Sequence, residues 1–296
     1  MSDSKEILAV GSIAFDTIHT PNGSRERILG GSSTYFSIAS SLYSKISLIG
    51  VVGNDFNDQH WKLFKNYKIN MDSVEVANGK TFNWGGKYNN DYSKRDTLFT
   101  NLGVFENFKP EVKTKYNNPI LYLGNIQPSL QFDVINKINN PYLIAADSMN
   151  LWIDLFPKDV TKLIKNVDIF LLNDEEAMQL TGMNDLEKIS DIFLSYGPKI
   201  VIIKKGSAGS LLSYGNKKIN ISVVSNTEVI DPTGAGDSFA GGVLGYIAKY
   251  GLDNPSKAVA HGTAIASYTV SGFGVEKLCT ILPEDLKIKI NSIKIS

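Results

Sequence analysis

The sequence predicts an α/β fold in which helices cover both faces of a central, mostly parallel β-sheet. Short apolar runs occur at residues 7–10, 46–52, 120–123, 142–146, 168–172 and 200–204. Most of these runs are apolar at every position, as expected for strands that are buried on both faces. Between them, apolar residues recur at helical spacing at 33–43, 130–138, 159–164, 174–180 and 186–195. Regular alternation of strands and helices is typical of a parallel sheet.

Two segments have the period of strands but are polar and aromatic. In one of them, Phe82, Trp84 and Tyr88 fall on one face of a predicted strand. The other contains a Pro-Asn-Gly turn between its two arms. We expect a small β lid formed by about 13–30 and 80–105. A plain extension of the sheet edge, which closes over nothing, is the alternative.

The composition is ordinary for a globular protein, and we expect one domain over residues 1–296. Lys+Arg and Asp+Glu both number 30, so no basic excess points to nucleic acid or an anionic membrane as a partner. The sequence has one cysteine, Cys279, which excludes an intramolecular disulfide. It also lacks signal-peptide order and any apolar run near the ~20 residues of a membrane helix, so we expect a cytoplasmic protein.

The most informative segment is DPTGAGDSFAGG at residues 231–242. Apolar residues at helical spacing follow it, which predicts a helix that begins near Gly236. Gly241, Gly242 and Gly245 lie inside this helix, where each glycine costs ~1 kcal/mol relative to alanine. We therefore expect the helix backbone to approach another element or a ligand closely.

The first N–H groups of a helix lack internal partners, and the helix dipole adds positive charge there. The amides of Gly234, Ala235 and Gly236 therefore predict an anion hole suited to a transferring phosphoryl group. Asp237, in the first turn, is a candidate base that accepts the proton of an attacking hydroxyl. The alternative is that Asp237 only complements the helix dipole.

Other motifs are absent. The chain has no G-x-x-x-x-G-K-[ST] loop, and its histidines, His19, His60 and His261, are too scattered for a zinc site. The Gly-Ala-Gly run lacks the third glycine of a dinucleotide fingerprint, since position 239 is Phe239.

The segment DPTGAGDSF at 231–239 closely resembles the C-terminal signature of the ribokinase-like (PfkB) carbohydrate kinases. LGGSS at 29–33 and GVVGND at 50–55 match N-terminal elements of that family in its order and approximate spacing. The resemblance covers nearly the whole chain and implies a ribokinase-like fold.

The resemblance also implies an ATP-dependent phosphotransferase that moves the γ-phosphate to a hydroxyl of a small sugar. Asp237 is then the catalytic base, and the amides from Gly234 to Gly236 form the anion hole. A nucleoside kinase of the same fold is the alternative, because an aromatic lid could also stack a base. A binding or sensor protein on a kinase fold stays open too, although retention of Asp237 beside the glycines counts against it.

Further site residues follow from the resemblance. The substrate-binding positions are Asp16, Gly30, Gly31 and Ser32. Tyr35 stands where many members have asparagine, so ribose should not be assumed as the acceptor. Asp147 and Asn150 are loosely similar to a D-x-N element of ketosugar-acid kinases, with one more residue between them, but the arginine expected nearby is missing.

On the nucleotide side, the matching positions are Asn173, Lys204, Gly206, Gly209 and His261. Glu176 is expected to hold Mg²⁺ through water, and a monovalent cation such as K⁺ at Asp231 is left open. We also expect a homodimer formed through the lid, because exposed strand edges with aromatic faces can pair with a second chain.

Overall fold

The computed structural model describes residues 4–296. Its strands are β1 (Ile7–Val10), β2 (Ala14–Thr20), β3 (Gly23–Gly30), β4 (Ile46–Val52), β5 (Asn70–Val76), β6 (Phe82–Tyr88), β7 (Arg95–Asn101), β8 (Ile120–Leu123), β9 (Leu143–Asp147), β10 (Ile169–Asn173), β11 (Ile200–Lys204), β12 (Ser210–Tyr214) and β13 (Lys217–Ile221). Its α-helices are α1 (Ser32–Ser41), α2 (Asp58–Asn66), α3 (Pro128–Lys137), α4 (Asn150–Leu155), α5 (Pro157–Ile164), α6 (Asp174–Thr181), α7 (Leu186–Tyr196), α8 (Ala235–Tyr250), α9 (Pro255–Thr269) and α10 (Pro283–Ser292).

The predicted central sheet is confirmed. It has nine strands in the order β13-β12-β11-β10-β9-β8-β1-β4-β5. The strands from β11 to β5 run parallel, and β12 and β13 extend the sheet as an antiparallel hairpin. Because the carboxyl ends of parallel strands share one edge, side chains just beyond β9, β10 and β11 lie together there.

Helices cover both faces of this sheet, as predicted. On one face, α1, α8, α9 and α10 enclose a core that includes Phe36, Phe239 and Ile265. On the other face, α3, α5, α6 and α7 enclose a second core around Phe170 and Phe193. Burial on both faces explains why the central strands are apolar at nearly every position.

The two polar, aromatic segments pair into a second, four-stranded sheet of order β3-β2-β6-β7. The register sets Asp16 beside Trp84 and Tyr88 beside Arg95, so these side chains share one face. Ile18 and Tyr88 pack there against Phe273, from the loop after α9. We call this small sheet the lid sheet, and its apolar contact with Phe273 holds it against the larger body.

Hydrogen bonds add to this contact. The Tyr88 hydroxyl lies 3.0 Å from Thr233 Oγ1, and Asn22 Nδ2 donates to the Val229 carbonyl at 2.9 Å. The Tyr92 hydroxyl donates to the Ile230 carbonyl at 3.4 Å. The lid sheet is therefore attached to the loop that leads into α8.

Several elements were not predicted. Helix α2 was missed because its surface is largely polar and only Phe64 is buried. Helix α10 begins with Pro283 followed by two acidic residues, a start signal that could have found it. Helix α9 begins at Pro255, after an Asn254 cap. Among residues 4–296, no helix is both long and apolar enough to cross a membrane.

The interior glycines of α8 have a packing role. A Cβ on Gly241 would lie 2.5 Å from the Phe36 carbonyl oxygen and 2.7 Å from the Ala39 Cβ, both on α1. A Cβ on Gly242 would lie 2.8 Å from the Gly262 Cα on α9. These distances are shorter than van der Waals contact, so glycine is needed for the three helices to pack.

We expect Gly241→Ala to destabilise the fold by about 1–3 kcal/mol, because overpacking outweighs the ~1 kcal/mol gained in helix propensity. Urea unfolding followed by circular dichroism measures this change. An unchanged or raised unfolding midpoint would show that α1 and α8 are not packed as closely as described.

Candidate active site

The first turn of α8 lies at the carboxyl edge of the central sheet. Gly234 is its N-cap, with φ of 75°, a left-handed conformation that favours glycine. A Cβ at this position would overlap the ring of Tyr35, which comes from α1. The start of α8 is thus set both by backbone conformation and by an aromatic contact.

Two of the three predicted anion-hole amides are free. Within residues 4–296, the N–H groups of Gly234 and Gly236 donate to no protein acceptor, whereas that of Ala235 donates to the Pro232 carbonyl at 3.2 Å. Residues 234–237 are all partly exposed. Open space therefore lies in front of unpartnered amides, as an anion site at a helix N-terminus requires.

Asp237 lies in the same first turn. Burial raises the pKa of its carboxyl to about 7, and the nearby Asp147 carboxylate raises it further while Lys204 lowers it. A carboxyl with a pKa near neutral pH is poised to accept a proton in that range.

A buried ion pair lies next to this turn. Lys204 Nζ, at the end of β11, is 2.7 Å from Asp147 Oδ2, at the end of β9. Burial alone would lower the pKa of Lys204, but the carboxylates of Asp147, Glu176 and Asp237 together raise it. A Cβ on Gly236 would lie 3.2 Å from Lys204 Nζ, so the ammonium group borders the free amides.

Asn173 and Glu176 begin α6 with reciprocal hydrogen bonds. Asn173 Oδ1 accepts from the Glu176 N–H at 2.7 Å, and Glu176 Oε2 accepts from the Asn173 N–H at 2.8 Å. Burial raises the pKa of Glu176 to about 7, with Lys204 lowering it and Asp147 raising it. Both residues therefore have a helix-capping role and also lie at the carboxyl edge beside Lys204.

The predicted acceptor residues lie in strands β2 and β3 of the lid sheet and at the start of α1. Asp16 is buried, and a Cβ on Gly30 would overlap its carboxylate. Burial raises the pKa of Asp16 to about 7, and Asp231 and Asp237 raise it further. Asp16 therefore lies within electrostatic range of Asp237.

Gly31 and Ser32 are fixed by contacts with Ser12. Gly31 has φ of 89°, and a Cβ there would lie 2.5 Å from the Ser12 carbonyl oxygen. The Ser32 N–H donates to Ser12 Oγ, and the Ser12 N–H donates to Ser32 Oγ, both at 3.1 Å. These bonds hold the start of α1 against the end of β1.

Sequence reasoning missed Arg95 and named Tyr35 only as a departure from the family pattern. The hydroxyl of Tyr35 is buried and has no hydrogen-bond partner among the described residues. Arg95 shares the inner face of the lid sheet with Tyr88, and its guanidinium lies 4.9 Å from the Trp84 ring centroid. The strand period of β7 could have indicated Arg95, whereas the burial of Tyr35 depends on tertiary packing.

The glycine turn after β11 lies beside Lys204. Gly209 has φ of 86°, and a Cβ there would overlap the Ile221 carbonyl, so the turn itself requires this glycine. Gly206, with φ of 52°, has no atom within 4 Å of a Cβ position. The turn therefore has open space on the side of Gly206.

The structure does not bring His261 to this site. Its Nδ1 is 2.6 Å from the Tyr43 hydroxyl, and its ring packs on Tyr246. Tyr246 lies ten residues beyond Gly236, about 15 Å along the helix at 1.5 Å per residue. Burial lowers the pKa of His261 to about 4, in keeping with a neutral packing role.

Asp231 is fully buried and fixes the loop before α8. Its Oδ1 accepts from the Thr233 N–H at 2.9 Å, and its Oδ2 accepts from the Gly274 N–H at 3.2 Å. Among residues 4–296, no group of three or more His, Cys, Asp or Glu side chains could hold a metal ion alone. Two surface concavities of about 260 and 640 Å³ are lined by none of the predicted site residues.

Comparisons with known proteins agree with this geometry. Residues 4–280 match the sequence model described as pfkB family carbohydrate kinase. The chain belongs to the pfkB family. It is accordingly a kinase of the sugar and nucleoside class, and the resemblance of its glycine-rich segments to that family is confirmed.

Individual relatives include both nucleoside and sugar kinases. A cytidine kinase of Thermococcus kodakarensis is 25% identical over 257 residues, which cover 84% of this chain and 90% of that protein. A crystal structure of Methanocaldococcus jannaschii nucleoside kinase superposes with a TM-score of 0.79 at 24% identity, covering 98% of this chain and 99% of the other. A Vibrio cholerae fructokinase double mutant, solved with fructose, ADP and potassium, gives 0.77 at 17% identity, covering 98% and 100%. The two structures show the shared fold.

The two roles of glycine in α8 of this pfkB kinase can be separated. We expect Gly236→Ala to leave thermal stability unchanged or slightly raised, because its Cβ meets only the flexible end of Lys204. We expect at least a tenfold loss in kcat, since the methyl group narrows access to the free amides while the Lys204–Asp147 pair stays in place. A variant with normal kcat would contradict an anion hole at this turn.

The pKa of Asp237 predicts a link between pH and stability. Its folded value of about 7 lies above the ordinary 3.8, so the stability contributed by the protonated form is present below about pH 4 and lost as pH rises through 7. We expect Asp237→Asn to raise the melting temperature at pH 8 but to change it little at pH 5. We also expect kcat to fall by about 10²–10⁴-fold.

Thermal unfolding at the two pH values, with steady-state kinetics at pH 8, measures both effects. Near-normal kcat would rule out Asp237 as the base. An equal change in melting temperature at both pH values would show that ionisation of the Asp237 carboxyl does not destabilise the fold.

Proposed function

We propose that the protein transfers the γ-phosphate of ATP to a hydroxyl on the ribose of a nucleoside, with Asp237 as the base. The observation that carries this proposal is the first turn of α8, where free amides and a carboxyl of pKa about 7 point into one partly exposed space. Phosphoryl transfer depends mainly on positioning and on neutralising charge, and this turn supplies both.

In the proposed reaction, Asp16 binds neighbouring hydroxyls of the acceptor and orients the reacting one toward Asp237. Asp237 takes the proton of that hydroxyl as its oxygen attacks the γ-phosphorus. The amides of Gly234 and Gly236 stabilise the negative charge on the phosphoryl oxygens as the bond to the leaving ADP oxygen breaks. The proton ends on the Asp237 carboxyl, and ADP leaves with the electron pair of the broken bond.

Lys204, Asn173 and the turn at Gly206 and Gly209 would hold the nucleotide. Buried carboxylates around one ammonium leave uncompensated negative charge, which fits a divalent cation shared with phosphate oxygens. Mg²⁺ would neutralise phosphate charge there, with Glu176 as its contact through water. A monovalent cation at Asp231 stays a prediction.

Two observations support a nucleoside acceptor over a free sugar. The cytidine kinase of T. kodakarensis matches this chain over most of both lengths. The inner face of the lid sheet carries the half-buried Trp84 with the Arg95 guanidinium near its ring, a surface on which a base can stack. The family description supports the free-sugar alternative.

A panel of cytidine, uridine, adenosine, ribose and fructose with MgATP, in an ADP-release assay, tests the acceptor class. We expect at least one nucleoside to exceed both sugars in kcat/KM by tenfold or more, because base stacking adds binding that a sugar lacks. Turnover of sugars alone would favour the carbohydrate kinase. Tight binding of a metabolite without turnover would favour a sensor protein.

Asp16→Asn separates acceptor binding from chemistry in the same assay. We expect the acceptor KM to rise by about 10- to 100-fold while the KM for ATP stays within about twofold, because the Asp16 carboxylate contacts only the acceptor. An equal rise in both KM values would contradict this assignment.

A homodimer through the lid sheet stays a prediction. Strand β7 is an edge strand, and Leu98 on it is 50% exposed. Light scattering at micromolar concentration tests it, and a monomeric mass would exclude it.

A further inference from the structure

The Lys204–Asp147 ion pair has an unusual position. It joins the carboxyl ends of β11 and β9 across the end of β10, which lies between them. The Lys204 side chain is 18% exposed and that of Asp147 is 5% exposed. Removing two charges from water to this extent costs free energy that their attraction often does not recover. Stability is therefore a weak explanation for this pair.

Both carboxylate oxygens of Asp147 accept hydrogen bonds, and these fix its orientation. Its Oδ1 accepts from the Ser148 N–H at 2.9 Å, and its Oδ2 accepts from Lys204 at 2.7 Å. The carboxylate is thus a fixed anchor at the end of a central strand. A flexible lysine that ends on such an anchor has far fewer accessible positions than a free one.

The anchored ammonium lies where the proposed chemistry needs positive charge. The 3.2 Å distance from Lys204 Nζ to a Cβ position on Gly236 places it beside the free amides. The Lys204 ammonium and the free amides of α8 therefore lie side by side as N–H donors, brought together from two separate elements before any ligand arrives. A preset charge of this kind lowers a barrier without reorganisation during the reaction.

A second ion pair on neighbouring strands makes a matched comparison. Lys199 lies just before β11 and Asp168 just before β10, with Lys199 Nζ 2.8 Å from Asp168 Oδ1. Asp168 Oδ2 accepts from the Ile144 N–H at 2.8 Å. Both aspartates thus use one oxygen for a backbone amide and one for a lysine. The Lys199 side chain is 72% exposed and lies at the opposite edge of the sheet from α8's first turn.

We propose that Asp147 is a positioning residue that holds Lys204 as a preset cation against the transferring phosphoryl group. Lys204 contacts the phosphoryl oxygens and keeps its proton throughout, so it supplies charge and takes part in no proton transfer. Asp147 acts on the phosphoryl group only through Lys204. This inference rests on the proposed phosphotransfer and deepens it.

The charges that face Asp237 predict opposite shifts of the pH profile for the lysine and aspartate variants. Asp147 from β9 raises the pKa of Asp237, whereas Lys204 from β11 and Arg95 from β7 lower it; Asp16 from β2 also lies within electrostatic range. Removing the lysine charge should shift the acid limb of the pH profile upward. Removing the aspartate charge should shift it downward.

The experiment is a double-mutant cycle in the full-length protein with Asp147→Asn, Lys204→Met and both together, and Asp168→Asn as the matched control. We expect Lys204→Met to lower kcat by about 100-fold and Asp147→Asn by about tenfold. In the Lys204→Met background, Asp147→Asn should have no further effect on kcat. Asp168→Asn should leave kcat and both KM values within about twofold of the wild type.

Three outcomes would overturn the inference: additive losses in the cycle, shifts of the two pH profiles in the same direction, or a loss in Asp168→Asn equal to that in Asp147→Asn. Lys204→Arg should retain more kcat than Lys204→Met, which loss of packing alone would not produce. If Asp147→Asn unfolds because the Lys204 charge is left unpaired, the double variant is compared with Lys204→Met instead. That comparison still reports whether Asp147 matters without Lys204.

A binding measurement separates this inference from the proposed function. By calorimetry with Mg²⁺, Lys204→Met and Asp147→Asn should weaken a non-hydrolysable ATP analogue at least tenfold more than they weaken ADP. If the analogue is weakened more than ADP and no acceptor is turned over, phosphotransfer is rejected. The ion pair would then still be a clamp for the γ-phosphate. Equal weakening of both nucleotides would reject the clamp even in an active enzyme.

Discussion

The active site depends on how closely α8 packs against α1 and α9. Gly241 and Gly242 allow backbone contact between these helices, and this contact sets the axis of α8. Because the axis is set, the first turn reaches the carboxyl edge of the sheet at a defined place, with Gly234 against the Tyr35 ring. Free amides are thus presented by rigid packing rather than by a mobile loop, and this makes them useful for binding a developing charge.

The position of α8 also brings acidic groups together in a region of low solvent exposure. Asp16, Glu176 and Asp237 each have a pKa of about 7, with burial as the first cause. Ionisation of each carboxyl therefore opposes folding. The large cores on both faces of the sheet tolerate this cost, and functional sites commonly hold such strained groups.

The sequence was sufficient for the central strands, because burial on both faces leaves a run of apolar residues that no other element shares. It also located the start of α8 near Gly236, because apolar residues recur at helical spacing beyond that point. It did not show that Lys204 reaches Asp147, because the two residues are 57 positions apart and meet only through the order of the strands. His261 was assigned by family resemblance alone, and its contacts lie near the far end of α8.

The lid sheet and the free amides at the start of α8 share one loop, which links the two parts of the candidate site. Thr233 lies one residue before Gly234, and its side chain contacts the Tyr88 hydroxyl while its N–H donates to Asp231. Asp231 also accepts from Gly274, so the loop is held from the body on one side and from the lid sheet on the other. Movement of the lid sheet away from this loop would break the Tyr88 contact. The position of the lid sheet and the order of the free amides are therefore not independent in this fold, because the same short loop carries both.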